Sequence, residues 1–458
     1  TLAPLERLLN RTTDTWRPSD ASRGAGGNQS RPHTRRPGDA GAMLRSLHVR
    51  NYRWFAGGQL VSLTGTWMQR VAQDWLVLEL TNSGLALGIV TAIQFLPPVL
   101  FGMWGGMLAD RGDKRRLLLI TQTGLALAAL FLGLLDVSGV VQLWQVYLLA
   151  GVVGVITSLD TPIRQSFVVE MVGQEDLPNA VGINSTIFNF GRIVGPAVAG
   201  VMIAAVGTGW AFIANALSSV AVITALALMR TSELHPSPRA RRGPGALRAT
   251  FGYVRRRGDL MVAMVLVFIV GTFGANFQLT TALLAKQVFH RSAAGYGLLS
   301  TSLALGAFGG AVLATRRRTR PGARELIVAA VVFGLVEMAA GLMPTYLLTA
   351  IALVPAGLML LTFTTAANSS VQLGVDPTMR GRVMALYLMC FMGGTPVGAP
   401  VIGWVSNHFG PRWGMVGGGL LCVVAAVGVA AVLLRRREVD LADAVRMMEF
   451  RSHRSRAA

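Results

Sequence analysis

Polar and apolar positions along this chain fall in long blocks rather than at the short period of a surface helix or strand. Apolar runs of about twenty residues recur, each enough to cross about 30 Å of hydrocarbon as a helix. They predict helices over 52–79, 84–108, 116–136, 141–168, 180–206, 210–230, 260–284, 295–315, 324–343, 346–371, 381–407 and 413–434. Backbone N–H and C=O groups have no water to bind in lipid, so runs of this length must be helical. The expected fold is all-α and integral to a membrane, with 12 transmembrane helices.

The polar breaks alternate in character. One set holds Arg111–Arg116, the segment with Arg239, Arg241, Arg242 and Arg255–Arg257, then Arg316–Arg318 and Arg435–Arg437. The other reads TNSG, DVSGVVQ, VGTG and MPTY, without Lys or Arg, and only Lys286, Arg291 and Arg412 fall on that side. Basic loops stay in the cytoplasm, so both termini are expected there.

The break at about 231–258 is the longest and divides the runs into two groups of six. LADR at 108–111 parallels LATR at 313–316, an offset of 205. VGPAVAG at 194–200 parallels VGAPVIG at 397–403, an offset of 203, which carries Gly207 onto Gly410. Two halves of parallel orientation around a normal axis are a transporter plan with the path between them. The expected domains are a disordered Arg-rich cytoplasmic tail 1–46, a first bundle 47–230, a linker 231–258, a second bundle 259–434 and a tail 435–458.

Composition supports this picture. The chain of 458 residues is 52% hydrophobic and 14% charged, against roughly 25% charged in soluble chains, and its mean hydropathy is +0.51. The net charge of +20 would suit nucleic acid, but its confinement to alternate breaks is that of topogenic charge, and no nucleic-acid partner is expected. Residues 1–46 lack the apolar stretch of a signal peptide. Cys390 and Cys422 both lie in apolar runs, as small buried hydrophobes rather than a disulfide or metal site.

The stretch GMLADRGDKR between the second and third runs resembles the major facilitator superfamily signature G-x-L-a-D-r-x-G-r-k, through Gly106, Leu108, Asp110, Arg111, Lys114 and Arg115. Asp113 stands where the pattern has Gly, with Gly112 one place early. The resemblance implies the two-bundle fold of that superfamily and a cytoplasmic gate that includes Asp110. By the same resemblance Asp160, Arg164 and Glu170 would join the gate; the plainer alternative is an interfacial salt bridge. GRIVGPAVAG, in the fifth run, is similar to the antiporter signature g-x-x-x-G-P-x-x-G-G of exporting members, through Gly191, Gly195, Pro196 and Gly200. Small residues at that spacing also serve plain close helix packing. The longer stretch from Leu159 to Gly200 resembles the enterobactin-exporter-like branch, which includes drug and siderophore efflux proteins.

Charge inside a span is costly and points to function. The first run carries MQRVAQDW, where Arg70 and Asp74 are four apart and can pair on one helical face, beside Gln69 and Gln73. This face is expected to look into the central cavity, with Asp74 the first choice to exchange a proton; a permanent ion pair is the alternative. Arg192, next to Asn189, needs a carboxylate or several carbonyls; Asp74 and Glu337 are the candidate carboxylates, with a structural role as the alternative for Glu337 in the ninth run.

The reading is a proton-coupled exporter of a hydrophobic or amphiphilic small molecule, working by alternating access in the bacterial cytoplasmic membrane as a monomer. It is not expected to be an enzyme or to hold a cofactor or metal, since the sequence has no G-x-x-x-x-G-K-[ST] loop and no metal-ligand cluster. The alternatives are an importer or lipid transporter on the same scaffold, or a non-transporting receptor or scaffold.

Overall fold

The computed structural model describes residues 44–235, 246–315 and 320–456, and among these all regular structure is helical. The expected tail up to residue 43 lies outside the described residues.

The first half opens with α1 (Arg50–Thr81), α2 (Gly84–Arg111) and α3 (Lys114–Val137). Then come α4 (Leu143–Val206) and α5 (Thr208–Ala227). Helix α4 loses helical geometry at Gly173 (φ 72°, ψ −180°), which divides it into arms 143–172 and 174–206. Both outer ends of α4 lie at one end of the bundle, because Tyr147 reaches the Ala86 carbonyl and Gly200 packs on Ala294. The arms therefore make two crossings, as the two separate runs predict.

In the second half α6 (Ala246–Arg256) precedes α7 (Gly258–Ile269), a π turn at Val270–Gly274, α8 (Phe277–Leu283) and a second π turn at Leu284–Val288. There follow α9 (Ala293–Thr315), α10 (Ala323–Leu342), α11 (Tyr346–Gly374), α12 (Pro377–Gly393), α13 (Thr395–Phe409) and α14 (Pro411–Arg456). Ten helical segments are long and apolar enough to cross a membrane. Counting both arms of α4, and α1, whose polar stretch keeps it out of that set, gives the twelve expected among the described residues. Two boundaries differ from expectation. Helix α14 continues to Arg456, past the predicted end at 434, and the linker contains α6.

Helix ends follow local chemistry. Ser83, Asp113 and Thr345 accept the backbone N–H three residues on, capping α2, α3 and α11. Asp113 thus gives the first signature's departure from its pattern a role: it caps α3 where the pattern would have glycine.

The duplication seen in the sequence is present in the backbone. Gly207 (φ 93°) and Gly410 (φ 98°) adopt the same left-handed conformation, open to glycine at no steric cost, at the same turn of each half. Helix α3 packs on α5 as α10 packs on α14, and α2 on α4 as α9 on α11. The halves meet along two equivalent lines, α2 against α13 and α4 against α9. The basic end of the first half has its own apolar cluster of Tyr52, Phe55, Phe167, Met171 and Leu226.

Candidate functional site

The buried polar residues of α1 point to three different neighbours. The Gln69 side chain accepts from Asn215 of α5, and Gln73 donates to Gln94 of α2 at 3.1 Å. Asp74, buried with 7% of its surface exposed, accepts from the Tyr296 hydroxyl of α9 at 2.7 Å. That bond crosses from one half to the other. Trp75 stacks on the Tyr296 ring, with centroids 6.3 Å apart. Arg70 does not close on Asp74 as the i,i+4 spacing suggested; its guanidinium lies over the Trp67 ring, 4.7 Å from the centroid. Trp67 meets Phe188 of α4 edge to face. The expected single polar face is therefore split among α5, α2 and α9.

Arg192 is not partnered by either carboxylate proposed for it. It donates to Asn189 on its own helix at 3.1 Å, and its Nε is buried without a hydrogen bond. Glu337, 2% exposed, sits on α10 against Gly274 of the first π turn and Gly418 of α14, and its Oε2 has no hydrogen-bond partner. The two glycines leave the room that the carboxylate fills.

At the arginine-rich end, the side chains of Asp110 and Arg111 lie outside the described residues, and Gly106 lies in the last turns of α2. Lys114 pairs with Glu170, and Arg115 donates to the Leu226 and Ala227 carbonyls at 2.7 Å, closing the end of α5. Asp160 is 1% exposed. It accepts from Thr121 and Gln122, each at 2.8 Å, and pairs with Arg164 at 3.2 Å, while Arg164 reaches Gln59 at 3.1 Å. In the second half Asp259 holds Arg257 and Arg320, at 2.9 and 2.7 Å. Each of these groups ties together helices of one half.

Contacts between the halves gather at the opposite, arginine-poor end. Lys286 donates to the Leu78 carbonyl at 2.5 Å and Gln287 to the Asn82 carbonyl at 2.8 Å. Asn407 accepts from the Gly84 N–H at 2.7 Å and donates to Ser83 at 2.9 Å. A side chain at Gly88 would collide with Ala399, and one at Gly403 with Gly84. Towards the arginine-rich end, Gly102 on α2 and Gly182 on α4 face open space instead. Among the described residues, the bonds that join the halves lie at and next to the arginine-poor end, while these two glycines towards the other end meet no neighbour.

The GRIVGPAVAG segment serves two contacts at once. Gly191 and Gly195 press on Leu63, Thr64 and Trp67 of α1, while Pro196 and Gly200 back onto Gly297 and Ala294 of α9. Its counterpart does the same: Gly398 packs on Thr272 and Gly403 on Gly84 of α2. The small residues therefore let α4 and α13 each touch their own half and the other.

Sequence reasoning missed Tyr296, Gln287 and Asn407, and noted Lys286 only as an exception to the charge rule. Asn, Gln and Ser in turns are ordinary turn chemistry, and Tyr296 carries no local signal. Only the proximity of chain segments more than 200 residues apart identifies them.

A sequence profile described as transmembrane secretion effector matches residues 42–454. The chain is 26% identical over 256 residues to the staphyloferrin A transporter of Staphylococcus aureus, a match spanning 56% of this chain and 64% of that one. It is 26% identical over 356 residues to the enterobactin exporter EntS of Citrobacter koseri, covering 77% and 84% of the two chains. Among solved structures it resembles a bacterial homolog of the human lysosomal transporter Spinster in an inward-facing, unoccupied conformation. That likeness has a TM-score of 0.68 at 17% identity and covers 83% of this chain and 96% of the other.

Proposed function

The chain belongs to the transmembrane secretion effector family of the major facilitator superfamily, and on that footing we propose that it exports a hydrophobic or amphiphilic small molecule by proton antiport. It is a multi-pass membrane transporter; direction, driving ion and substrate class are the proposed parts. Export is supported by the similarity to an enterobactin exporter and by the form of the GRIVGPAVAG segment. The proposed orientation puts the arginine-rich end in the cytoplasm, where basic loops are retained. In that orientation the seam is closed to the outside and parted to the inside, one of the two states that alternating access requires.

The observation that carries the coupling is the buried Asp74 carboxylate, held within the closed seam between the halves. An ionisable group there is costly to bury and so points to a function, and a carboxylate that changes partners as the seam opens can take up and release a proton. Arg70, over Trp67, leaves it free to do so. Gln73 and Gln94 add uncharged donors and acceptors between α1 and α2, beside it. No ATP-binding loop appears in the sequence, so the proton gradient is the energy source proposed.

The test is ethidium accumulation in an efflux-deficient bacterial host, with and without a protonophore. Wild type is expected to lower accumulation, protonophore to restore it, and Asp74→Asn to match the empty vector. A fully active Asp74→Asn would remove the coupling role from this carboxylate.

A further inference from the structure

The Asp74–Tyr296 bond stands at the inner edge of the closed seam. Asp74 lies one helical turn before Leu78, whose carbonyl receives Lys286, and two turns before Asn82, which receives Gln287. The remaining seam bonds are between neutral partners or from Lys286 to a carbonyl. The Tyr296–Asp74 bond alone among those described above rests on a carboxylate, so its strength depends on whether a proton is present. A hydroxyl bound to a carboxylate is about twice as strong as a neutral pair.

We propose that Tyr296 is the positioning residue that prevents slip: its bond to ionised Asp74 holds the empty, deprotonated transporter closed to the outside. This inference rests on the antiport reading above. An antiporter that returned outward empty after releasing its proton inside would let one proton in per cycle and export nothing. A bond that is strong only when Asp74 is ionised blocks that return. Substrate entering between α1 and α9 relieves the block by separating the two residues. When Asp74 is protonated the bond weakens, and the transporter moves freely between its two faces, as proton entry demands.

Few other charged groups bear on Asp74. From its own helix come Arg70, over Trp67, and Glu79, which accepts from the Trp75 indole at 2.7 Å. From the second half come Tyr296 itself and Lys286, 5.7 Å from the Trp75 ring centre. Helix α4 packs Gly191 on Leu63 and Gly195 on Trp67 and Thr64, which places Arg192 about three turns from Asp74 along α1. The partner from α2 is the uncharged Gln94, through Gln73.

The measurement is a pair of spin-label distances in proteoliposomes, read across the outer face between Val140→Cys and Leu347→Cys. Both sites are exposed, at 57% and 65%, and lie outside the seam; Cys390 and Cys422 are replaced by alanine. Wild type is expected to show the short distance at pH 8 and a longer population at pH 5.5. Tyr296→Phe keeps the ring that stacks on Trp75 but loses the hydroxyl. It should raise the open-to-closed ratio at pH 8 about tenfold, the scale of losing a charge-assisted bond, and admit protons to substrate-free vesicles loaded with pyranine. Asp74→Asn should shift the distance similarly and abolish its dependence on pH. A Tyr296→Phe protein that responds to pH as wild type does, and stays tight to protons, overturns the inference while leaving antiport intact. Wild-type export indifferent to protonophore would instead remove the antiport reading itself.

Discussion

Asp160, Asp74 and Glu337 are three buried carboxyl groups in one molecule with three degrees of partnership. Asp160 receives Thr121, Gln122 and Arg164, all from its own half. Asp74 has Tyr296, from the other half, and Glu337 has an oxygen with no partner at all. A group satisfied within a rigid half is structural in this conformation. Removing it leaves the buried Thr121 and Gln122 donors unpaired and Arg164 with Gln59 alone, so Asp160→Ala should cost about 1–3 kcal/mol, read as a lowered melting temperature in detergent, with Asp160→Asn milder. Equal melting for Asp160→Ala and wild type would contradict the structural role. The four-residue spacing of Asp160 and Arg164 made their pairing legible in advance. The same spacing misled for Arg70 and Asp74, because Trp67, one turn before Arg70, offers its face to the guanidinium while Tyr296 takes the carboxylate. Helical spacing permits a pair; it does not exclude competitors from other helices.

Among the helices, the clearest elements are α2 and α13, whose glycines allow their backbones to touch. Gly88→Val would drive a side chain into the Ala399 carbonyl, at a cost of about 1–3 kcal/mol for overpacking. Gly102→Val, on the same helix but facing open space, should melt as wild type does. Comparing the two melting temperatures separates a seam closed at one end from one closed throughout; equal losses would mean the latter. The boundaries of most spans were readable from hydropathy to within a few residues. The break between α7 and α8 was not. The run 260–284 is continuous in apolar character and contains no proline, yet it holds a π turn at Val270–Gly274. There Thr272 is crowded by the backbones at Gly394 and Gly398, and Asn276 donates to the Thr272 carbonyl at 2.7 Å. The distortion sits at a helix-to-helix contact, which the run itself does not encode. π turns of this kind often accompany functional sites.

For the whole molecule, the two halves are joined along α2–α13 and α4–α9. If transport requires the arginine-poor seam to open, fixing it should stop transport. The cysteine pair Ser83→Cys/Asn407→Cys replaces a contact of 2.9 Å. Its oxidation should abolish export, and reduction should restore it; unimpaired export with the crosslink formed would show that this end never opens. The number of crossings, their grouping into two related halves, and the small-residue segments that carry the close contacts were all determined by the sequence, because length and hydropathy are local properties of the chain. The shared conformation of Gly207 and Gly410 shows the nearly constant offset in the backbone as a structural repeat. The tertiary structure alone decided which end of the seam is shut and what each buried polar group bonds to. Those depend on pairs such as Asp74 with Tyr296, separated by 222 positions, and a hydrogen bond is selected by proximity among competing partners, which no local pattern records.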